Sequence, residues 1–407
     1  MLFEVLTVLY ILLSIFLVQI IKDEFISRKI LHILISIGII ISSYFISKTS
    51  MIVLCATFVV FNLILNILKL TKYDEKGNFG TILYPLAVLI STIIYYEDKN
   101  YYFLSLFAMF FSDPISAILG RKINKYNIEG KTLIGSSTFF LLTFLFSFLS
   151  TKNILFSLSF SLFLTAVEFI LKRGLDNLFI VLFAIVLLNV RLENFAIAMF
   201  FGILISIISY RLNWLDLNGS IGTFIIGSII LYSGGFNWVL PLLLFLVLGS
   251  ILSKLNDKKT KRNLAQVLAN GGVSLILSIL NIFYPNDIFY FIHLCVISAM
   301  SSDTFSTEIG MKFSKKAYLI TNFKEVEKGT SGGISFIGFI GGIIGSFIIS
   351  IFHPLWFYIF IIGIVGNLFD SIIGATLERN FILSNNMTNF ISSSFSSVLG
   401  FLVALKF

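Results

Sequence analysis

Charge is scarce in this chain. Of its 407 residues 12% are Asp, Glu, Lys or Arg, against 57% hydrophobic. No soluble domain hides that much apolar surface, which excludes a soluble fold. Histidine and cysteine are scarcer still, at three and two residues. The His residues are scattered, no Cys/His cluster occurs, and neither H-E-x-x-H nor G-x-S-x-G is present. That argues against a zinc site and a serine-elbow hydrolase. Cys55 and Cys295 lie inside apolar runs, where a thiol behaves as a small hydrophobe. A long basic run or arm is also missing. The net charge of +8 is spread over short loops, a pattern that speaks for membrane topology and not for nucleic acid.

What is present is apolar runs, beginning near residues 2, 29, 50, 80, 101, 136, 154, 177, 195, 219, 238, 264, 288, 332, 354 and 389. The expected fold is all-α, a polytopic integral membrane protein with about 16 transmembrane helices in two related halves. The first run, near 2–21, is long enough to span and has no small-residue cleavage site, so it is expected to be a permanent helix. Strict alternation of faces puts every Lys and Arg except Lys48, Lys99, Lys152, Arg191 and Lys406 on one side. The positive-inside rule makes that side cytoplasmic and the N-terminus external. The best boundary between halves is the polar stretch 210–219, giving domains 1–210 and 211–407.

One signature occurs twice. Ser112-Asp113-Pro114-Ile115-Ser116 with Gly120 and Lys122 fits S-D-x-x-S-x-x-x-G-x-K, as does Ser302-Asp303-Thr304-Phe305-Ser306 with Gly310 and Lys312. The first copy leads over a polar loop to Glu129-Gly130-Lys131-Thr132, with Gly135 and Ser136 behind. The second leads to Lys328-Gly329-Thr330-Ser331-Gly332-Gly333. A weaker echo pairs Gly80-Thr81 with Gly222-Thr223. Because Pro114 biases the residue before it away from helical geometry, the fifth run is expected to break at Asp113 and restart. An intramembrane acid is a functional candidate, here to hold Mg²⁺ on a nucleotide. A full P-loop is excluded, since its first glycine falls on Lys125, but glycines, Lys131 and a helix start still suit phosphate.

Other candidates surround these blocks. Arg28-Lys29-x-x-His32 heads the second run. Glu168, with Asp176-Asn177 behind it, is a base, a metal ligand or a partner for Lys172. In the second half, Asp303 and Glu308 are the acids, and Gly329 to Gly333 suit an anion nest. Asn263, Gln266 and Asn270 share a helical face after Arg262. Asn367 and Asp370, with Asn385 to Asn389, suggest one polar cavity.

At these residues the sequence resembles known families. Residues 1–210 resemble the phytol kinase and dolichol kinase family through Arg28-Lys29-x-x-His32, Gly80 to Pro85, Asp113-Pro114 with Gly120-Arg121, Lys131-Thr132-x-x-Gly135-Ser136, and Glu168 with Leu175-Asp176-Asn177. Ser116 stands where an Ala is common. Residues 211–407 resemble a separate membrane family that includes phytyl-phosphate kinase. The matching pieces there are Arg262-Asn263 through Asn270-Gly271, Ser302-Asp303-Thr304 with Glu308 and Gly310, Gly329-Thr330-x-Gly332-Gly333, and Gly366-Asn367 with Asp370-Ser371. The resemblance implies two consecutive phosphorylations of a membrane-embedded isoprenoid alcohol, first to the monophosphate and then to the diphosphate, with Mg²⁺ and CTP or ATP. It assigns Asp113 and Asp303 to the metal and Lys131 and Lys328 to phosphates. Ser136 and Thr330 would be donors, and Glu168 or Asp176 would position the first hydroxyl. A transporter built of repeated halves and a cytidylyltransferase making a CDP-lipid are the alternatives.

Overall fold

The computed structural model describes residues 2–68, 79–123, 127–128, 130–256 and 261–406. Lys69, Lys72, Lys76, Lys125, Glu129, Lys258 and Lys259 of the sequence reading lie outside the described residues. The chain folds as two compact units, Met1–Leu192 and Glu193–Phe407. The expected domain boundary was 210/211, so the helix before it goes with the second unit.

Unit 1 contains α1 (Leu2–Val18), α2 (Glu24–Ser42), α3 (Lys48–Ile67), α4 (Gly80–Tyr95), α5 (Lys99–Phe107), α6 (Asp113–Lys122), α7 (Leu133–Thr151), α8 (Ile154–Ile170) and α9 (Leu175–Leu188). A short hairpin, β1 (Asn127–Ile128) with β2 (Lys131–Thr132), precedes α7. Unit 2 contains α10 (Leu192–Arg211), α11 (Leu217–Leu255), α12 (Leu264–Phe283), α13 (Asp287–Phe313), α14 (Phe336–Ser350), α15 (Trp356–Ile373) and α16 (Asn385–Ala404). Between α13 and α14 lies a three-stranded sheet of β3 (Ala317–Leu319), β4 (Glu325–Val326) and β5 (Gly333–Ile334), in the order β4-β3-β5.

Every apolar run of the sequence is a helix. α5 and α6 form one run, and α11 is two helices meeting at Gly235, whose φ of 66° no helix tolerates. Among the described residues ten helices, α11 counted once and α5 with α6 as one, are long and apolar enough to cross a membrane; α1, α4, α8, α9 and α14 are apolar but shorter. Side chains such as Leu12, Leu141, Phe200 and Leu402 stay exposed on the outer helix faces. In a bilayer such a surface needs no cover.

The helix does not break at Asp113. Its backbone stays helical, with φ −63° and ψ −55°, behind a π turn at Ala108–Ser112. The Asp113 amide reaches back to the Ala108 carbonyl, one residue further than an α-helix would. Pro114 has no N–H to offer the Phe110 carbonyl, and Ser36 Oγ donates to that oxygen at 3.4 Å. The Met109 carbonyl, bypassed by the longer register, takes a hydrogen bond from the His32 ring. Donors from α2 therefore replace what the proline and the π turn leave open, and the run continues through both.

The repeat is real as packing. In unit 1 a Cβ on Gly120 would lie 2.4 Å from Thr132 Oγ1 and 3.2 Å from the Gly135 Cα. In unit 2 a Cβ on Gly310 would lie 3.0 Å from Ser335 Oγ and 3.3 Å from the Gly338 Cα. Thr132 caps α7 by accepting from the Gly135 amide, and Ser335 caps α14 by accepting from Gly338. Gly135 lies against the Ser116 carbonyl, as Gly338 lies against that of Ser306. These contacts let the signature helix and the one after it approach closely. They also correct the expected pairing. The counterpart of Thr132 is Ser335, not Thr330, and the Lys328 to Gly333 loop lies upstream of the equivalent point. The Gly80-Thr81 echo falls likewise. α4 packs on α3 and α9 as α12 packs on α11 and α16, whereas Gly222 and Thr223 belong to α11.

Candidate active site

Unit 1 gathers five charges at its signature. Lys29, one turn into α2, donates to Asp113 Oδ2 at 2.7 Å. Asp113 itself is only 2% exposed. Lys131 follows Gly130, whose φ of 86° turns the hairpin, and it donates to Glu168 Oε1 of α8. Asp176, in the first turn of α9, lies within electrostatic range of Asp113, Lys131 and Lys29. Burial pushes the Lys131 ammonium down, but Glu168 and Asp113 outweigh that and hold it above the usual lysine range. The partner of Glu168 is thus Lys131 and not Lys172. Glu168 Oε2 and His32 Nε2 are buried without a hydrogen-bond partner among the described residues. Such orphaned atoms in an otherwise paired cluster are what an incoming polar ligand would satisfy.

The remaining predicted residues of this half have other duties. Ser112 Oγ accepts from Thr143 Oγ1 at 2.9 Å, deep between helices. Ser116 Oγ donates to its own turn, at the Asp113 carbonyl. Gly120, Thr132 and Gly135 make the close helix contact described above, and Lys122 is exposed at the end of α6. Ser136 Oγ is buried and has no hydrogen-bond partner among the described residues.

Unit 2 encloses a polar cavity of about 840 Å³. Asp303, Glu308, Lys328, Arg262, Asn270, Gly329, Thr330, Gly332, Gly333, Asn367 and Asp370, all expected at a site, line it. Asp370 is within electrostatic range of Asp303 and of Glu378, so three carboxylates converge on one wall. Glu308 is drawn aside, accepting from Ser253 Oγ at 3.0 Å and Asn256 Nδ2 at 2.7 Å. Asn263 is absent from the lining, because its side chain closes a capping box with Gln266 at the start of α12.

The glycine-rich loop lines the cavity beside these carboxylates. Gly329 and Gly332 hold φ of 85° and 73°. A Cβ on Gly332 would lie 2.4 Å from Ala375, so only glycine fits against the π turn at Gly374–Glu378. Ser331 Oγ donates to Glu378 Oε1 at 2.7 Å and fastens the loop there. The amides of Thr330 and Gly333 are engaged by the Glu327 and Thr330 carbonyls, so the expected nest does not use all of its N–H groups on a ligand. The Thr330 hydroxyl also donates, to the Glu327 carbonyl at 2.7 Å. Lys328 is exposed and donates to the Met311 carbonyl at 3.1 Å.

Several residues at these sites were not singled out from sequence. Lys29 was visible in Arg28-Lys29-x-x-His32, but only the fold shows that it reaches Asp113. Glu378 carries no local signal, and Ser331 was read only as part of the Gly329 to Gly333 nest. Asn385 and Asn389, read as part of a polar cavity but not as site residues, do line it.

Among the described residues no three His, Cys, Asp or Glu side chains are gathered closely enough to hold a bare metal ion. Magnesium on a nucleotide asks for less, one or two carboxylates with the rest from phosphates and water. Asp303 and Asp370, facing a cavity with Arg262, Lys254 and Lys328, fit that demand. In unit 1 the corresponding carboxylate, Asp113, is paired with Lys29.

Comparison with known proteins points to the second unit. Residues 200–397 match the family described as "Integral membrane protein DUF92". The "Uncharacterized membrane protein MJ0933" of Methanocaldococcus jannaschii is 40% identical over 204 residues, which are 46% of this chain and 85% of that protein. "Protein PGR" of Arabidopsis thaliana is 27% identical over 227 residues, 43% of this chain and 76% of that protein. "Protein VTE6, chloroplastic" of the same plant is 25% identical over 216 residues, 46% of this chain and 65% of that protein. No solved structure matches significantly. Through residues 200–397 the chain belongs to the DUF92 family of integral membrane proteins.

Proposed function

We propose that the chain is a bifunctional isoprenoid kinase. Unit 1 phosphorylates a prenol, and unit 2 phosphorylates the resulting monophosphate. The observation that carries this reading is the unit 2 cavity, lined by four carboxylates, three cations and a glycine-rich loop. The resemblance of each half to a prenol-handling kinase family, described above, supplies the substrate class. The donor in this reading is CTP or ATP, and both sites face the cytoplasm.

The two acceptors ask different things of their sites. An alcohol oxygen attacks the terminal phosphorus, its bond to the bridging oxygen breaks, and the nucleoside diphosphate leaves. The hydroxyl proton must go to a base. Glu168 and Asp176 are the available carboxylates in unit 1, and Lys131 holds Glu168 in place. A phosphate monoester attacks as an anion and needs no base. It needs charge neutralisation instead. Unit 2 offers Arg262 and amides at Asn270, Asn385 and Asn389. Bound Mg²⁺ would offset charge on the donor phosphates, held by Asp303 and Asp370 in unit 2 and by Asp113 in unit 1. Lys328, exposed at the mouth, would meet the donor's terminal phosphate.

The test uses purified protein in detergent with Mg²⁺, labelled CTP or ATP, and a set of prenols and prenyl monophosphates. Label in both mono- and diphosphate lipids is expected. Label in the monophosphate alone would leave unit 2 without the proposed activity. Nucleotide binding without any lipid label would refute the kinase reading and favour transport.

A further inference from the structure

The polar cavity of unit 2 has an apolar annex. Arg262, Gln266 and Asn270 line the cavity, and the same three residues form one end of a separate groove of about 70 Å³. Gln266 and Asn270 lie one turn apart on α12, and Arg262 sits just ahead of the helix, bridged to Leu215. The rest of the groove is apolar apart from Thr223, with walls that include Ile205, Ile226, Leu243 and Phe245.

Arg262 is fixed at the junction. Its amide donates to the Trp214 carbonyl and its carbonyl accepts from Asp216, both at 3.0 Å. Its guanidinium lies over the Phe245 ring, 5.8 Å from the centroid. It also lies against Gly249, where a Cβ would come within 2.8 Å of Nη2. A forked cation held between a polar chamber and an apolar slot suits an anion whose other end is hydrocarbon. Gly227 lines the slot, and a Cβ there meets nothing within 4 Å. At about 70 Å³ the slot is small and suits the first carbons of a single chain.

Building on the kinase reading of unit 2, we propose that this groove receives the head-proximal carbons of a prenyl monophosphate, whose phosphate is held at the rim by Arg262, Gln266 and Asn270. The remainder of the chain leaves between helices into the bilayer. The occupant is a single-chain monoester. A bilayer phospholipid carries two chains and a diester, and matches neither the slot nor the rim.

The full chain in lipid nanodiscs tests this. The acceptors are methyl monophosphate, which has no tail, and geranyl monophosphate. Wild type is expected to prefer the geranyl compound in kcat/KM by at least about tenfold. Gly227→Leu fills the slot and should reduce that preference to about twofold or less, with the nucleotide KM unchanged. Gly227→Ala should fall between. Independently of turnover, geranyl monophosphate with a diazirine on its first isoprene unit should label peptides from 217–283, and unlabelled geranyl monophosphate should compete while phosphatidylcholine should not. An undiminished chain preference in Gly227→Leu, labelling elsewhere, or competition by phosphatidylcholine would overturn the groove. If wild type phosphorylates neither acceptor, the kinase reading fails, and the cross-link still decides the groove. If Gly227→Leu does not bind nucleotide, Gly227→Ala and the cross-link decide it.

Discussion

Removing the Lys29 ammonium should destabilise unit 1 while removing its whole ion pair should not. Asp113 has a side chain 3% exposed, and Lys29 one 21% exposed. Lys29→Met leaves a carboxylate inside protein with its closest cation gone. Breaking a buried pair from one side costs about 3–5 kcal/mol. Lys131 still acts on Asp113, and Lys29 is partly solvated, so the lower end applies. About 3 kcal/mol is roughly a hundredfold in the folding equilibrium. Lys29→Met with Asp113→Asn removes both charges and should lie within about 1 kcal/mol of wild type. The two cysteines make this measurable, because Cys55 is buried in unit 1 and Cys295 in unit 2, both as free thiols. In a Cys295→Ala background, maleimide labelling of Cys55 across a denaturant series reads unit 1 alone. A single variant within about 0.5 kcal/mol of wild type, or a double variant worse than the single, would refute the reasoning.

Four further outcomes follow from the same geometry. Gly120→Ala forces a methyl to within 2.4 Å of Thr132 Oγ1 and should cost about 3 kcal/mol by Cys55 labelling. Gly310→Ala, at 3.0 Å from Ser335 Oγ, should cost about 1 kcal/mol by Cys295 labelling, and a reversed order would contradict the repeat as described. Ser36→Ala strips the Phe110 carbonyl of its donor and should cost about 1–2 kcal/mol, whereas a neutral result would show that the π turn needs no help from α2. Asp370→Asn should slow phosphorylation of a prenyl monophosphate by at least about a hundredfold and leave prenol phosphorylation within about twofold, read as labelled lipid products; loss of both would contradict its assignment to unit 2 chemistry.

The membrane class and the helical runs were legible because hydropathy and helix length answer to one constraint, a bilayer that satisfies no backbone group. The signature was legible too, since Asp113 and Asp303 stand out among apolar neighbours. Its partners were less so. Lys29 is 84 positions from Asp113, and nothing local says which basic residue of α2 will face it. The proline rule gave a break at Asp113, but it describes a chain segment in isolation. Here Ser36 and His32, from another helix, supply the missing hydrogen bonds and the run survives. The likeness of the two Lys, Gly and Thr clusters was a match of letters. What is conserved between the units is a shape, glycine against hydroxyl cap against glycine. A Ser in place of Thr and a longer loop ahead of it conceal that shape in the sequence.

The most direct test of the two-site account is the product pattern of Asp113→Asn and Asp303→Asn, each assayed with labelled nucleotide on a prenol and on its monophosphate. Asp113→Asn should abolish phosphorylation of the prenol and spare that of the monophosphate. Asp303→Asn should make the monophosphate normally and stop there. Equal loss of both steps in either variant would contradict the account.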